Sequence, residues 1–128
     1  MEKIETENIK FKQRQFMEEP SSGAIFFKNL KSQYIIANNK TLELLGLSHQ
    51  QVMGKNDEEI MPNKKEAYKN MEDDQLVFKN SKPIETTKLM GDGQGKEHWY
   101  HTIKLPQFDN NGEIIAKTIM NALDNQNH

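Results

Sequence analysis

The apolar residues of the chain fall into short runs whose spacing changes along its length. Residues 2–18 hold strong helix formers and few turn signals. Ile9 and Phe16 recur two turns apart with Phe11 and Met17 beside them, which predicts a modestly amphipathic helix. Pro20-Ser21-Ser22-Gly23 breaks it. Ala24-Ile25-Phe26-Phe27 is an apolar run of strand length, and Tyr34-Ile35-Ile36-Ala37 is β-branched and aromatic. The polar turn Asn29-Leu30-Lys31-Ser32 between them predicts a hairpin.

Helical signals follow. Asn38 or Asn39 caps a short helix that carries Leu42, Leu44 and Leu45 and ends at Gly46. Ser48 with Gln51, and Asn56 with Glu59, have capping-box spacing, with Gly54 closing the turn between them. Asn63 with Glu66 opens the longest internal helix, about residues 64–80. The last third turns to period two. It predicts strands from Pro83 through Leu89, from Lys96 to Leu105 and from Glu113 to Leu123, with turns at 91–95 and 106–112 and a polar tail after them. The order is helix, two strands, short helices, one longer helix, then three strands. It predicts an α+β domain, a five-stranded antiparallel sheet with its helices on one face.

Composition narrows this further. A chain of 128 residues suits one domain. The mean hydropathy of −0.89 is low. Clustering of the apolar residues into periodic runs nevertheless marks a folded domain with a thin core. Net charge is −2, from 17 basic and 19 acidic side chains that are interspersed, so no basic face invites nucleic acid as a direct partner. No apolar run approaches membrane-spanning length, and the start lacks a signal-peptide core, so the reading is a cytoplasmic protein with no membrane partner. With no cysteine, disulfides, thiolate metal sites and cysteinyl adducts are excluded.

Candidate chemistry is sparse. Gly91-Asp92-Gly93-Gln94-Gly95-Lys96 looks like a phosphate loop, but it enters a strand, where no helix N-terminus aims amides at an anion. His98 and His101 lie three apart in a strand and point to opposite faces, so no metal site is expected. Asp57-Glu58-Glu59 begins a helix, where negative charge is favoured. Glu72-Asp73-Asp74 is a solvated helix face, except that Asp74 shares a stripe with Ala67, Met71 and Phe78 and so needs a partner.

Taken in order, these segments resemble the PAS (Per-Arnt-Sim) family over residues 22–123. The resemblance is carried by Phe26-Phe27-Lys28-Asn29-Leu30, Tyr34-Ile35-Ile36-Ala37-Asn38 and Leu44-Leu45-Gly46-Leu47-Ser48. It continues in Val52-Met53-Gly54-Lys55-Asn56-Asp57, Gly95-Lys96-Glu97-His98-Trp99-Tyr100, Leu105-Pro106 and Asp109-Asn110-Asn111-Gly112-Glu113-Ile114-Ile115. It implies a bacterial-type sensory domain over 22–124, with an N-terminal flanking and dimerisation helix over 1–20 and a tail or linker over 125–128. Such a domain binds a small ligand and dimerises. It thereby regulates an output domain (DNA-binding, kinase or cyclase) attached beyond the C-terminus or acting in trans, in transcription regulation or bacterial signalling.

The resemblance also ranks cofactors. Haem-binding relatives take an iron ligand from the long helix, which here has no histidine, and the photoactive flavin branch needs a cysteine. Both absences argue against those groups. Matching Trp99 to the family's outward-facing position places Trp99, His101 and Ile103 outside. It places His98, Tyr100, Thr102 and Lys104 inside, with Lys28, Thr86, Lys88, Ile119 and Asn121. The candidate ligand set is Lys28, Tyr68, Met71, Asp74, Tyr100, Thr102, Lys104 and Asn121. Lys28, Tyr100 and Lys104 suit a small anionic or carboxylate-bearing molecule. Outside, Ile9, Phe11 and Phe16 are expected to cover Trp99 and Ile103 in a homodimer. One alternative is a ligand-free protein-interaction module whose core is filled by Phe27, Tyr68, Met71 and Tyr100. A remoter one is a small isomerase- or dehydratase-like enzyme using His98 or Asp74 as proton acceptor. No geometry pairs those two, so a non-enzyme is the reading.

Overall fold

The structure, a computed structural model, describes residues 23–91 and 95–123. The flanking helix expected over 1–20, with Ile9, Phe11 and Phe16, lies outside these residues, as does the tail. The elements run β1 (Ala24–Lys28), β2 (Tyr34–Ala37), α1 (Asn39–Leu45), α2 (His49–Val52), α3 (Asp57–Ile60), α4 (Lys64–Asn80), β3 (Ile84–Gly91), β4 (Glu97–Phe108) and β5 (Ile114–Ala122). The strands form one antiparallel sheet in the order β2-β1-β5-β4-β3. The four helices, with Met61 just after α3, supply Leu42, Leu44, Leu45, Val52, Ile60, Met61 and Ala67 to a core shared with Phe26, Met90, Tyr100 and Met120 of the sheet, which defines its inner face.

Caps fix the helix starts as the local sequence predicts. Ser48 and Gln51, and Asn56 and Glu59, make reciprocal capping boxes, and Asn63 accepts from the Glu66 N–H. Asn38 does more than cap α1. Its Oδ1 accepts from the N–H groups of Thr41 and Ile25, both at 3.0 Å, and its Nδ2 donates to the Gly23 carbonyl at 3.1 Å. One buried side chain thus ties the start of β1 to the first helix.

Two irregularities position the site. The β1–β2 register runs Phe27 to Ile36 and then Lys28 to Tyr34, so Ile35 is an extra residue and β2 bulges there. Strict alternation from Ala37 would turn Tyr34 outward. The bulge turns it inward beside Lys28, with its ring 5.1 Å from that of Phe26. In addition, Tyr34 N–H donates to the Lys55 carbonyl and Gly54 N–H to the Tyr34 carbonyl, at 3.0 and 2.8 Å. Gly54 sits at φ 78, in the left-handed region that glycine adopts at no steric cost. This stitch holds the segment before α3 against the start of β2.

Two expectations are corrected. β4 does not end at Leu105: it continues to Phe108, with Pro106 opposite Ala116. β3 pairs with β4 only as far as Lys104, so beyond that residue β4 is bonded on one side and tolerates a residue lacking an N–H. The inward stripe of α4 is also rotated from the one expected. Ala67, Asn70, Asp73, Asp74 and Val77 are buried, while Met71 and Phe78 are only partly so. Burial of three polar residues hides the stripe from an apolar-periodicity reading.

Candidate ligand site

An ionic cluster occupies the middle of the inner face. Lys28 comes from β1, Lys104 from β4, Asp57 from the first turn of α3 and Asp74 from α4. Lys28 Nζ donates to Asp57 Oδ2 at 2.8 Å and to Asp74 Oδ2 at 3.0 Å. Lys104 Nζ donates to Asp74 Oδ1 at 2.8 Å and to Thr118 Oγ1 at 3.2 Å. Tyr34 completes the set by donating its hydroxyl proton to Asp57 Oδ1 at 2.6 Å. All five side chains are buried, and both ammonium groups lie over the Phe26 ring, at 5.5 Å for Lys28 and 5.7 Å for Lys104.

The electrostatics follow from this bonding. Burial disfavours the charged form of Lys28, but Asp57, Tyr34 and Asp74 outweigh it and hold its pKa above the ordinary lysine value. Burial disfavours a charged Asp74 too, yet Lys28 and Lys104 together lower its pKa. For Lys104, burial and the nearby Lys28 prevail over Asp74, and its pKa is lowered. Burial raises the Tyr34 hydroxyl well above its usual range.

Beside this balanced set, Lys88 on β3 is different. Its Nζ donates to the neutral Asn70 Oδ1 at 2.6 Å, and no carboxylate of the described residues forms an ion pair with it. Burial, reinforced by Lys104 and partly offset by Asp73, brings its pKa down to about 8. Lys88, Asn70, Lys104, Asp57, Tyr34 and Thr41 form the polar part of the wall of a cavity of about 30 Å³. Its apolar wall comes from Ala24, Phe26, Leu44, Leu45 and three methionines, Met61, Met90 and Met120. Pockets for drug-sized ligands run to several hundred Å³. This space accommodates about two water-sized groups as it stands. Thr102, fully buried on the same face, leaves its Oγ1 without a hydrogen-bond partner among the described residues.

The candidate residues read from the sequence therefore separate. Lys28, Asp74, Tyr100, Thr102 and Lys104 all lie on the inner side and are buried, but of these five Lys104 alone is in the wall of the cavity described above. Lys28 and Lys104, however, are occupied by carboxylates of the protein itself. Met71 is only partly buried and is not in the cavity wall. Tyr68 is 54% exposed, its hydroxyl bonded to Glu58 at 3.0 Å, so it points away from the cavity. Asn121 and Ile119 are corrected to the outer face. Cross-strand partners share a face, Tyr100 pairs with Ala122 and Thr102 with Met120, so the alternate residues of β5 point outward. The Asn121 amide oxygen stands 2.3 Å from where a Cβ on Gly23 would be. Phe27 likewise faces outward, packed with Ile25 and Ile115. Sequence reasoning missed Asp57 as a site residue, together with Asn70. It read Asp57 as a helix-start charge, and its adjacency to the Gly54 turn was the one available signal.

On the outer face Trp99 stands opposite Leu89, and the two are 54% and 43% exposed. Ile103 is half-buried there, opposite Ile119, and His101 Nε2 lies 2.6 Å from Glu85 Oε1. No described helix is long and apolar enough to cross a membrane.

The sequence profile of the PAS fold matches residues 19–123. No curated protein matches the chain. Among solved structures, the fold is similar to VqmA bound to DPO, with a TM-score of 0.76 and 23% identity. That similarity takes in 89% of this chain and 57% of VqmA. The Vibrio cholerae VqmA dimer gives the same TM-score and identity over 91% of this chain and 52% of its own. The PAS domain of Bordetella pertussis BvgS gives 0.70 at 16% identity, over 88% and 87%. The chain thus spans little more than half the length of VqmA but nearly all of the isolated BvgS domain. With its five-stranded antiparallel sheet and short inner helices, the chain belongs to the PAS fold family.

Proposed function

We propose that this domain is a signal receiver: a small molecule enters the inner cavity and alters the packing of sheet against helices, and an output domain attached to the chain or acting in trans reads that change. The observation that carries this reading is the buried ionic cluster beside the cavity. A core serving stability alone gains little from two buried lysines, because replacing such ion pairs with packed apolar groups is often neutral or stabilising. Charge held at the wall of a cavity is, in contrast, a device that a polar ligand can bias. The resemblance in fold to VqmA supports DPO as a first probe.

The outer face supports a second component, a homodimer. Trp99 and Leu89 form an exposed apolar pair on a face that the four described helices leave open. We assign its cover to the 1–20 segment of either copy, through Ile9, Phe11 and Phe16, with Ile103 at the edge of the contact.

Native mass spectrometry of the purified chain, with and without DPO, tests the receiver reading. A retained small molecule, or binding of DPO, supports it. A chain that retains nothing from its host and binds no DPO favours the ligand-free interaction module.

A further inference from the structure

Three lysines reach the inner face of the sheet, and they are not equivalent. Lys28 and Lys104 share the carboxylates of Asp57 and Asp74, so two cations face two anions and the cluster closes on itself. Lys88 lies in the same cavity wall with only the neutral Asn70 amide oxygen as a partner. Every charged group near it is already committed or at a distance. Asp73 is ion-paired with Lys69 at 3.3 Å, Asp57 and Asp74 hold the cluster lysines, and Glu66 in the first turn of α4 feels the charge of Lys88 without forming an ion pair with it among the described residues. Across the ladder stands Tyr100, and Lys104 adds like charge. Lys88 is thus a half-buried cation that no carboxylate contacts directly, and a small anion at its ammonium group would supply that contact.

Resting on the receiver reading above, we infer that the ligand is a small carboxylic acid bound as its anion, with the carboxylate against Lys88 Nζ and the carbon chain towards Met61, Met90 and Met120. The cavity of about 30 Å³ restricts the class to the shortest acids. Its methionines, unbranched and with three rotatable bonds, can repack to admit the chain. The Thr102 hydroxyl, buried and without a hydrogen-bond partner among the described residues, is one ladder step along the same face but outside the cavity wall. This moves the anion site away from Lys28 and Lys104, where the protein's own aspartates already stand.

The test is a titration of the full chain with sodium propanoate and, separately, with the neutral isostere propanamide, followed by NMR of the methionine methyl groups. Propanoate is expected to shift Met61 and Met90 and to bind at least tenfold more tightly than propanamide. Lys88→Met should weaken propanoate at least tenfold. Asn70→Asp should do the same, since it gives Lys88 an internal carboxylate like that of Lys104, and it keeps the inference testable should Lys88→Met fold poorly. Because the protonated amine is the binding form, affinity should decline as pH rises through about 8. Equal binding of the amide, or an unchanged affinity in both variants, overturns the carboxylate assignment and leaves the receiver reading intact. If neither compound binds, the assignment falls, and native mass spectrometry decides the receiver reading separately.

Discussion

Lys28 and Asp74 are 46 residues apart in the chain, yet their charged ends meet at 3.0 Å with no more than 1% of either side chain exposed. Asp74 reaches Lys104 with its other oxygen, so one carboxylate from α4 clasps β1 and β4 at once. Breaking such a pair from one side leaves a buried charge without compensation, which is far costlier than the pair itself is worth.

Asp74→Asn should therefore destabilise the domain by about 3–5 kcal/mol, among the largest effects of any single substitution here. Urea unfolding of the variant measures it. A loss below about 1 kcal/mol would mean that water reaches the cluster and screens it.

Tyr34→Phe isolates the role of the bulge at Ile35. It removes the 2.6 Å bond to Asp57 with little change in volume and leaves a buried acceptor short of one donor. The expected cost is about 1–3 kcal/mol. A neutral substitution would show that the inward turn of Tyr34 serves packing only.

Stability should depend on pH at both ends of the range. The Asp74 pKa is lowered by folding, so its contribution is present above the ordinary carboxylate value near 3.8 and is lost as pH falls through the folded value. Lys88 acts in the opposite sense to an ordinary paired lysine. Its pKa drops from 10.5 to about 8 on folding, so the unfolded chain holds the extra proton between those values and stability rises with pH across that window. Relative to Lys88→Met, the wild-type chain should gain on the order of 1–3 kcal/mol between pH 7.5 and 10.5. Urea midpoints of both proteins at several pH values provide the comparison, and a constant difference would contradict the burial of this amine.

Trp99→Glu should disperse the proposed homodimer, because it places a charge at the centre of the exposed Trp99–Leu89 pair. Light scattering after gel filtration should give a monomer for this variant, and for a chain lacking residues 1–20. A monodisperse dimer of unchanged stability in the truncated chain would exclude the flanking segment from the contact.

The sequence alone determined the succession of elements, because its signals are local. Ser48 with Gln51 and Asn56 with Glu59 lie three residues apart, within reach of one helical turn, and Asn38 and Gly46 bracket α1 wherever that helix packs. Period two in β4 likewise set Tyr100, Thr102 and Lys104 on one face and Trp99 and Ile103 on the other. The tertiary structure alone decided what each face would mean. The extra residue at Ile35 reverses Tyr34, and the pairing of β5 with β4 reverses Asn121. In each case a one-residue change of register exchanges the two faces of a strand. Asp57 reads as a helix-start charge, and Asp74 as a carboxylate in need of an unnamed partner, until the sheet supplies Lys28 and Lys104, since a buried carboxylate needs a cation or hydrogen-bond donors to meet it. The unneutralised Lys88 is a remainder of that pairing, and no local pattern in the chain could single it out from its two inward-facing companions.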